Sequence, residues 1–266
     1  MILDDIVKST RIRVEKAKAR LPLKELKFDA KLLLKQIQDE LNRFPFEEVL
    51  KINNFNFICE VKKASPSKGI IAEDFPYIKI AKEYEEAGAS CISVLTEPDY
   101  FLGSDIYLSE IRNNIHIPIL RKDFIIDEYQ IYESKLLGAD CILLICSILT
   151  KEQLICYLKL CDELQLSALV EAHDEEEVKL AVSVGARIIG VNNRNLKDFS
   201  VNMANSLALR ELVPNNILFI SESGIKTPED ILLCKRANVN GVLIGETLMK
   251  TNDKRKMLED LKSLLD

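Results

Sequence analysis

Hydrophobic positions along the chain fall into short unbroken runs separated by longer amphipathic stretches. One phrase recurs: a helical stretch reaches Gly-Ala or its equivalent and passes at once into an apolar run. It reads EEAGASCISVL over Glu85 to Leu95, KLLGADCILLI over Lys135 to Ile145, SVGARIIGV over Ser183 to Val191 and RANVNGVLIG over Arg236 to Gly245. Glycine or asparagine just past a helix end supplies the left-handed residue that stops it. The runs that follow are too short for helices, so they predict strands buried on both faces. Phe57 to Val61, Pro118 to Arg121, Leu166 to Val170 and Ile217 to Ser221 fit the same role, which makes eight candidate strands. Helix starts stand between them at Asp127, at Thr150 with Gln153, at Asp174, and at Thr227 with Pro228 in the first helical position.

Strands alternating with helices predict a parallel sheet. No G-x-G-x-x-G follows the first strand, which removes the main support for an open dinucleotide-binding sheet. A count of eight favours closure. The expected fold class is α/β, a (β/α)8 TIM barrel over residues 55–266, with residues 1–54 as an N-terminal helical extension packed on it. That extension breaks near Phe44-Pro45-Phe46 and is too small and too charged to hold a core alone.

Composition narrows the function more than the fold. With 266 residues, 47% of them hydrophobic, the chain can bury a large core. A net charge of −6 and the absence of an unrelieved basic block argue against nucleic acid as a partner. The opening MILDDIVKST has no signal-peptide core, and the longest apolar stretch, Cys141 to Leu149, is too short to span a bilayer. A cytoplasmic location without membrane partners is expected. Seven cysteines without a C-x-x-C pair predict reduced thiols rather than a disulfide framework. Only His116 and His173 could serve as imidazole ligands, so no metal site is expected.

Barrel enzymes place their chemistry where the strands end. The residues found there are Glu60 and Lys62 after the first strand, Lys122 after the third and Glu171 after the fifth. Asn192 follows the sixth, Glu222 and Ser223 the seventh, and Gly245 the eighth. Glu60 and Lys62 share one face of their strand, and Cys59 and Val61 the other. Charge brought into a barrel mouth must be paired or used.

These segments closely resemble the indole-3-glycerol phosphate synthase family. The first-strand segment FICEVKKASPSKG is similar to that family's signature, as are ISVLTEPDYFLGS, PILRKDFIID, LVEAHDEEE, IGVNNRNLKDF, ISESGI and VLIGETLM. The opening ILDDIVKSTRIRVEKAK resembles its N-terminal extension, so the resemblance covers essentially the whole chain in order. It implies a carboxy-lyase of tryptophan biosynthesis that closes an indole ring on a phosphorylated sugar without metal or cofactor. The implied substrate is 1-(2-carboxyphenylamino)-1-deoxyribulose 5-phosphate. The resemblance makes Lys122 the general acid of ring closure and Glu171 its partner in proton transfer during dehydration. Lys62 is implied to meet the substrate carboxylate or phosphate or to act as a second acid, and the sequence does not divide acid duties between the two lysines. Glu60 and Glu222 are implied to hold lysines and substrate hydroxyls, with hydrogen bonds from Asn192 and Arg194. Ser65 belongs either to a substrate loop or to the turn before Pro66. Phe101, Phe124 and Leu143 are implied as the wall against the anthranilate ring.

Ser223, Gly224, Gly245 and Glu246 match the usual barrel phosphate site, where backbone N–H groups receive the anion. Glu246 departs from the serine many relatives carry, and puts a carboxylate beside the expected phosphate. Two other readings are an isomerase acting on phosphoribosylanthranilate and a non-catalytic sugar-phosphate-binding barrel. The isomerase family is expected to use a cysteine at the end of the first strand, but Cys59 lies on the face opposite Glu60 and Lys62. Loss of the paired lysines would favour a binding protein, and both are present.

Overall fold

Eight parallel strands close into a barrel in the computed structural model, which describes residues 2–36, 44–52, 54–195 and 198–265. They are β1 (Asn56–Val61), β2 (Cys91–Leu95), β3 (Ile119–Lys122), β4 (Cys141–Ile145), β5 (Ser167–Ala172), β6 (Ile188–Asn192), β7 (Leu218–Glu222) and β8 (Gly241–Ile244). Each pairs with its chain neighbour, and β1 also pairs with β8, so no edge is left open. The repeated phrase acts as a helix stop followed by a strand. Gly88, Gly138, Gly185 and Asn238 all take positive φ, at 78°, 88°, 82° and 57°.

The predicted caps form as well. Asp127 and Asp174 accept hydrogen bonds from Tyr129 N and Glu177 N, and Thr150 and Thr227 each close a capping box. Each such cap satisfies backbone donors that a helix leaves free, worth about 1 kcal/mol.

Two apolar layers lie inside and outside the strands. Ile58, Leu120, Leu143, Leu169, Ile188, Ile220 and Leu243 fill the barrel, while Cys59, Ile92, Val170, Ile189 and Val242 face the helices. Three helices precede the barrel: α1 (Ile2–Arg20), α2 (Leu23–Gln36) and α3 (Pro45–Ile52). Phe46 and Leu50 of α3 join the inner cluster, so α3 stops the barrel from below, anchored by a bidentate Arg187–Glu47 pair. α1 lies at the opposite end. Its Arg13 grips Asp123 at 2.7 and 2.9 Å, and its Lys18 meets Asp127 at 2.7 Å.

All seven cysteines are free thiols, six buried and Cys156 exposed; Cys59, Cys91 and Cys141 lie within strands. Among the described residues, no helix is long and apolar enough to cross a membrane.

Candidate active site

Four of the strands, β3, β5, β6 and β7, run one or two residues further than their apolar runs suggest. Lys122, Asn192 and Glu222 are the last residues of β3, β6 and β7, and Glu171 lies inside β5. Each is held in register by the parallel ladder: Lys122 opposite Leu95, Glu171 opposite Ile145 and Gly190, Asn192 opposite Glu222. Hydrophobicity ends at the first polar side chain, but backbone pairing does not. These groups therefore stand on the rigid sheet rather than on loops.

They open into one cavity of about 800 Å³ at the C-terminal rim. Every residue singled out from the sequence lines it. Lys122 Nζ donates to Glu171 Oε2 at 2.9 Å and lies 3.3 Å from Glu222 Oε2. Lys62, one residue past the end of β1, pairs with Glu60. Space for these side chains comes from glycine. A Cβ at Gly190 would strike the Glu222 carboxylate, and one at Gly245 would strike Glu60 and Lys62.

Electrostatics of the cluster oppose simple expectation for a buried lysine. Burial is the largest single effect on Lys122 and by itself favours the neutral amine. Attraction to Glu171, Glu222 and Glu60 outweighs it and raises the pKa above the ordinary lysine range. Lys122 in the free protein is an ammonium with its proton firmly held, not a lysine tuned toward neutrality. Glu171 is buried too, yet Lys122 and His173 hold its carboxyl below the usual range. Glu222 goes the other way. Burial, with Glu171 and Glu60 nearby, pushes it up to about 7 against the pull of Lys122. Its Oε1 is buried without a hydrogen-bond partner.

Ser223 and Gly224 follow β7 with φ of 67° and 98°. A serine in the left-handed region costs energy and persists where surroundings impose it. Here the Ser223 hydroxyl donates to Asn192 Oδ1 at 2.9 Å, which also accepts the Arg194 N–H at 3.0 Å. Glu246 opens a short helix (Glu246–Met249) on the same side of the cavity. Its carboxylate gathers cations from three places: Lys250 at 2.7 Å, and Lys68 and Arg194 at 3.7 Å each. Burial works against its charge, but these cations hold its carboxyl below the usual range.

Phe101 and Phe124 face each other with centroids 6.0 Å apart, above Leu143 in the barrel interior. Ser65 takes part in the turn through Pro66 to Lys68. It lines the cavity and its carbonyl accepts the Lys68 N–H at 3.2 Å, within a short hairpin (Ala64–Ser65 with Gly69–Ile70).

The family model for indole-3-glycerol phosphate synthase matches residues 3–261. The chain belongs to the indole-3-glycerol phosphate synthase family. A curated member from Lachnoclostridium phytofermentans is 58% identical over 271 residues, covering all of both chains. One from Ruminiclostridium cellulolyticum is 56% identical over 95% of both, and one from Clostridium acetobutylicum 45% identical over 98% and 97%. Among solved structures, 3-hexulose-6-phosphate synthase superposes with a TM-score of 0.63 at 13% identity, covering 78% of this chain and 98% of its own. Thiamine phosphate pyrophosphorylase from Pyrococcus furiosus gives 0.59 at 16%, covering 79% and 95%. At such identities these two show the barrel alone.

Three features of the cavity's walls and surroundings are absent from the strand-end inventory: part of α1, Glu97 and His173. Ile2, Leu3 and Ile6 of α1 line the cavity, so the extension forms part of its wall. Glu97 accepts the N–H groups of Asp99, Tyr100 and Phe101 at 3.0, 2.7 and 3.0 Å and so shapes the loop that carries Phe101. Its place within LTEPDY was the available signal. His173 touches Glu171 from behind, and the LVEAHDEEE segment contains it, but nothing local shows where its ring points.

Proposed function

We propose that the chain catalyses the indole-3-glycerol phosphate synthase reaction, acting in the cytoplasm on 1-(2-carboxyphenylamino)-1-deoxyribulose 5-phosphate. The observation that carries this is the Lys122–Glu171 pair at 2.9 Å, facing the cavity that also holds Lys62, Glu60 and Ser223. The aromatic carbon bearing the carboxylate attacks the sugar carbonyl, and Lys122 gives its proton to the carbonyl oxygen. The carboxylate leaves as carbon dioxide, its bonding electrons restoring the aromatic ring. The new hydroxyl then leaves as water, protonated by one of the two lysines, while Glu171 takes the proton released as the indole double bond forms. Phe101, Phe124 and Leu143 bound the ring, and Asn192 and Arg194 hold the chain of hydroxyls. Cys59, the position a rival isomerase reading would need, faces the helix layer and is fully buried.

The test is turnover. Purified protein given the carboxyphenylamino substrate should develop indole absorbance, and binding without product would leave only a sugar-phosphate-binding barrel. Glu171→Gln keeps the size of the side chain and removes the base. It should lower kcat about 100-fold with little change in KM, the scale of one positioned proton-transfer group.

The phosphate falls, on this reading, to the backbone N–H groups of Gly224, Gly245 and Glu246 with Ser223 and Lys62. The Glu246 carboxylate then competes with the ligand for Arg194, Lys68 and Lys250. Glu246→Gln should tighten inhibition by inorganic phosphate about fivefold, as expected for removing one like charge at a part-exposed site. An unchanged inhibition constant would separate the Glu246 carboxylate from the phosphate.

A further inference from the structure

Next to the active cavity, and sharing Leu3, Asn192 and Arg194 with it, lies a second one of about 580 Å³, lined also by His173, Asp174, Glu177 and Asn205. Lys122 and Glu171 do not line it. His173 lines this second space and reaches the first only through Glu171, which lines the active cavity. Its Nδ1 meets Glu177 Oε2 at 3.0 Å, and the same oxygen accepts the His173 backbone N–H at 2.8 Å. The Asn205 amide donates to the His173 carbonyl at 2.9 Å, and the Glu177 N–H is in turn held by Asp174 at 2.9 Å. The imidazole is thus fixed from its ring, its N–H and its C=O. The buried Nε2 has no hydrogen bond of good geometry and faces Glu171 Oε1 at 3.4 Å.

We propose that His173 is a positioning residue for Glu171, holding that carboxylate aimed and ionised while Lys122 is engaged with substrate. The inference rests on the reading of Glu171 as the base. In the free protein Glu171 has two cationic neighbours, Lys122 on Oε2 and His173 on Oε1. When Lys122 turns its proton to the substrate carbonyl, one of those is lost. A buried carboxylate without a cation takes up a proton, and a protonated Glu171 cannot act as a base. His173 is the cation that stays. Its own charge is secured by Glu171 and Glu177, which outweigh its burial and push its pKa up to about 10. Asp174 adds negative charge on the second-cavity side and Arg194 opposes it, while Asn192 and Asn205 are neutral.

The test is the pH profile of kcat for His173→Gln, with Glu177→Gln as a milder companion that weakens the imidazolium from outside. Removing a cation lets the Glu171 pKa rise, so activity is lost at higher pH on the acid side. The acidic limb should move up by about one pH unit in His173→Gln, a roughly tenfold loss below it that recovers as pH rises. Glu177→Gln should shift the same way by less, and it carries the test if His173→Gln does not fold. A loss uniform across pH in the folded variants, or an unmoved limb, overturns the proposal. Glu171→Gln in parallel separates the two ideas. Should it retain full turnover, the reading of Glu171 as base fails; should it be inactive while the limb stays put, only the role of His173 fails.

Discussion

Lys122→Ala is expected to lower turnover at least ~100-fold, the most damaging single change in the cavity. Two losses combine. Ring closure loses the proton donor at the carbonyl oxygen, worth 10²- to 10⁴-fold for a positioned acid. The carboxylates also lose their shared counter-charge, because Lys122 lies within 2.9 Å of Glu171 and 3.3 Å of Glu222. Glu171 and Glu222 should then share a proton between them at neutral pH, as adjacent buried carboxylates do. The variant should fold, since removing one ammonium from a ring of acids can be met by protonation. Steady-state kcat with a parallel thermal melt is the measurement. Near-normal turnover from a folded variant would remove Lys122 from its assigned role.

Arg121→Met is expected to cost about 3–5 kcal/mol of stability, although Arg121 itself does not line the cavity. The residue beside Lys122 points the opposite way, into the helix layer, and is fully buried. All of its donor groups are used: Thr96 at 3.1 Å, the Gln130 carbonyl at 3.2 Å, Ser134 at 3.1 Å, Asp105 at 2.7 Å and Glu133 at 2.8 Å. Asp123, 3.4 Å away and equally buried, also receives Arg13 from α1. Methionine fills much of the volume but leaves Asp123, Glu133 and Asp105 facing one another without their common cation. Breaking a buried network from one side is far costlier than replacing all of it. Denaturant midpoints at matched m-values read the effect directly, and a loss under about 1 kcal/mol would mean the acids simply protonate or find water. Lysine at this position should recover only part of the loss, since it lacks the planar fork that meets several acceptors at once.

Much of this protein is written locally. The phrases ending in Gly88, Gly138, Gly185 and Asn238 stop helices because a left-handed residue is needed there, and caps at Asp127, Thr150, Asp174 and Thr227 act on backbone donors two or three residues away. Interactions that short survive translation into any fold, so strand number, helix boundaries and the identity of the rim residues can be read along the chain. The boundaries slip where hydrophobicity and pairing part company, as at Lys122 and Glu222, because a ladder bond does not depend on side-chain type.

Charge state is different. Lys122 and Glu171 are 49 positions apart, and only closure of the barrel sets them at 2.9 Å. Burial alone would have favoured the neutral amine; three carboxylates arriving from β1, β5 and β7 reverse that. The cluster's sign, the ring of His173 behind it, the residues of α1 above it and the buried fork of Arg121 all depend on distances between elements. Coulomb energy follows separation in space and local dielectric, and neither quantity exists until the chain has closed on itself.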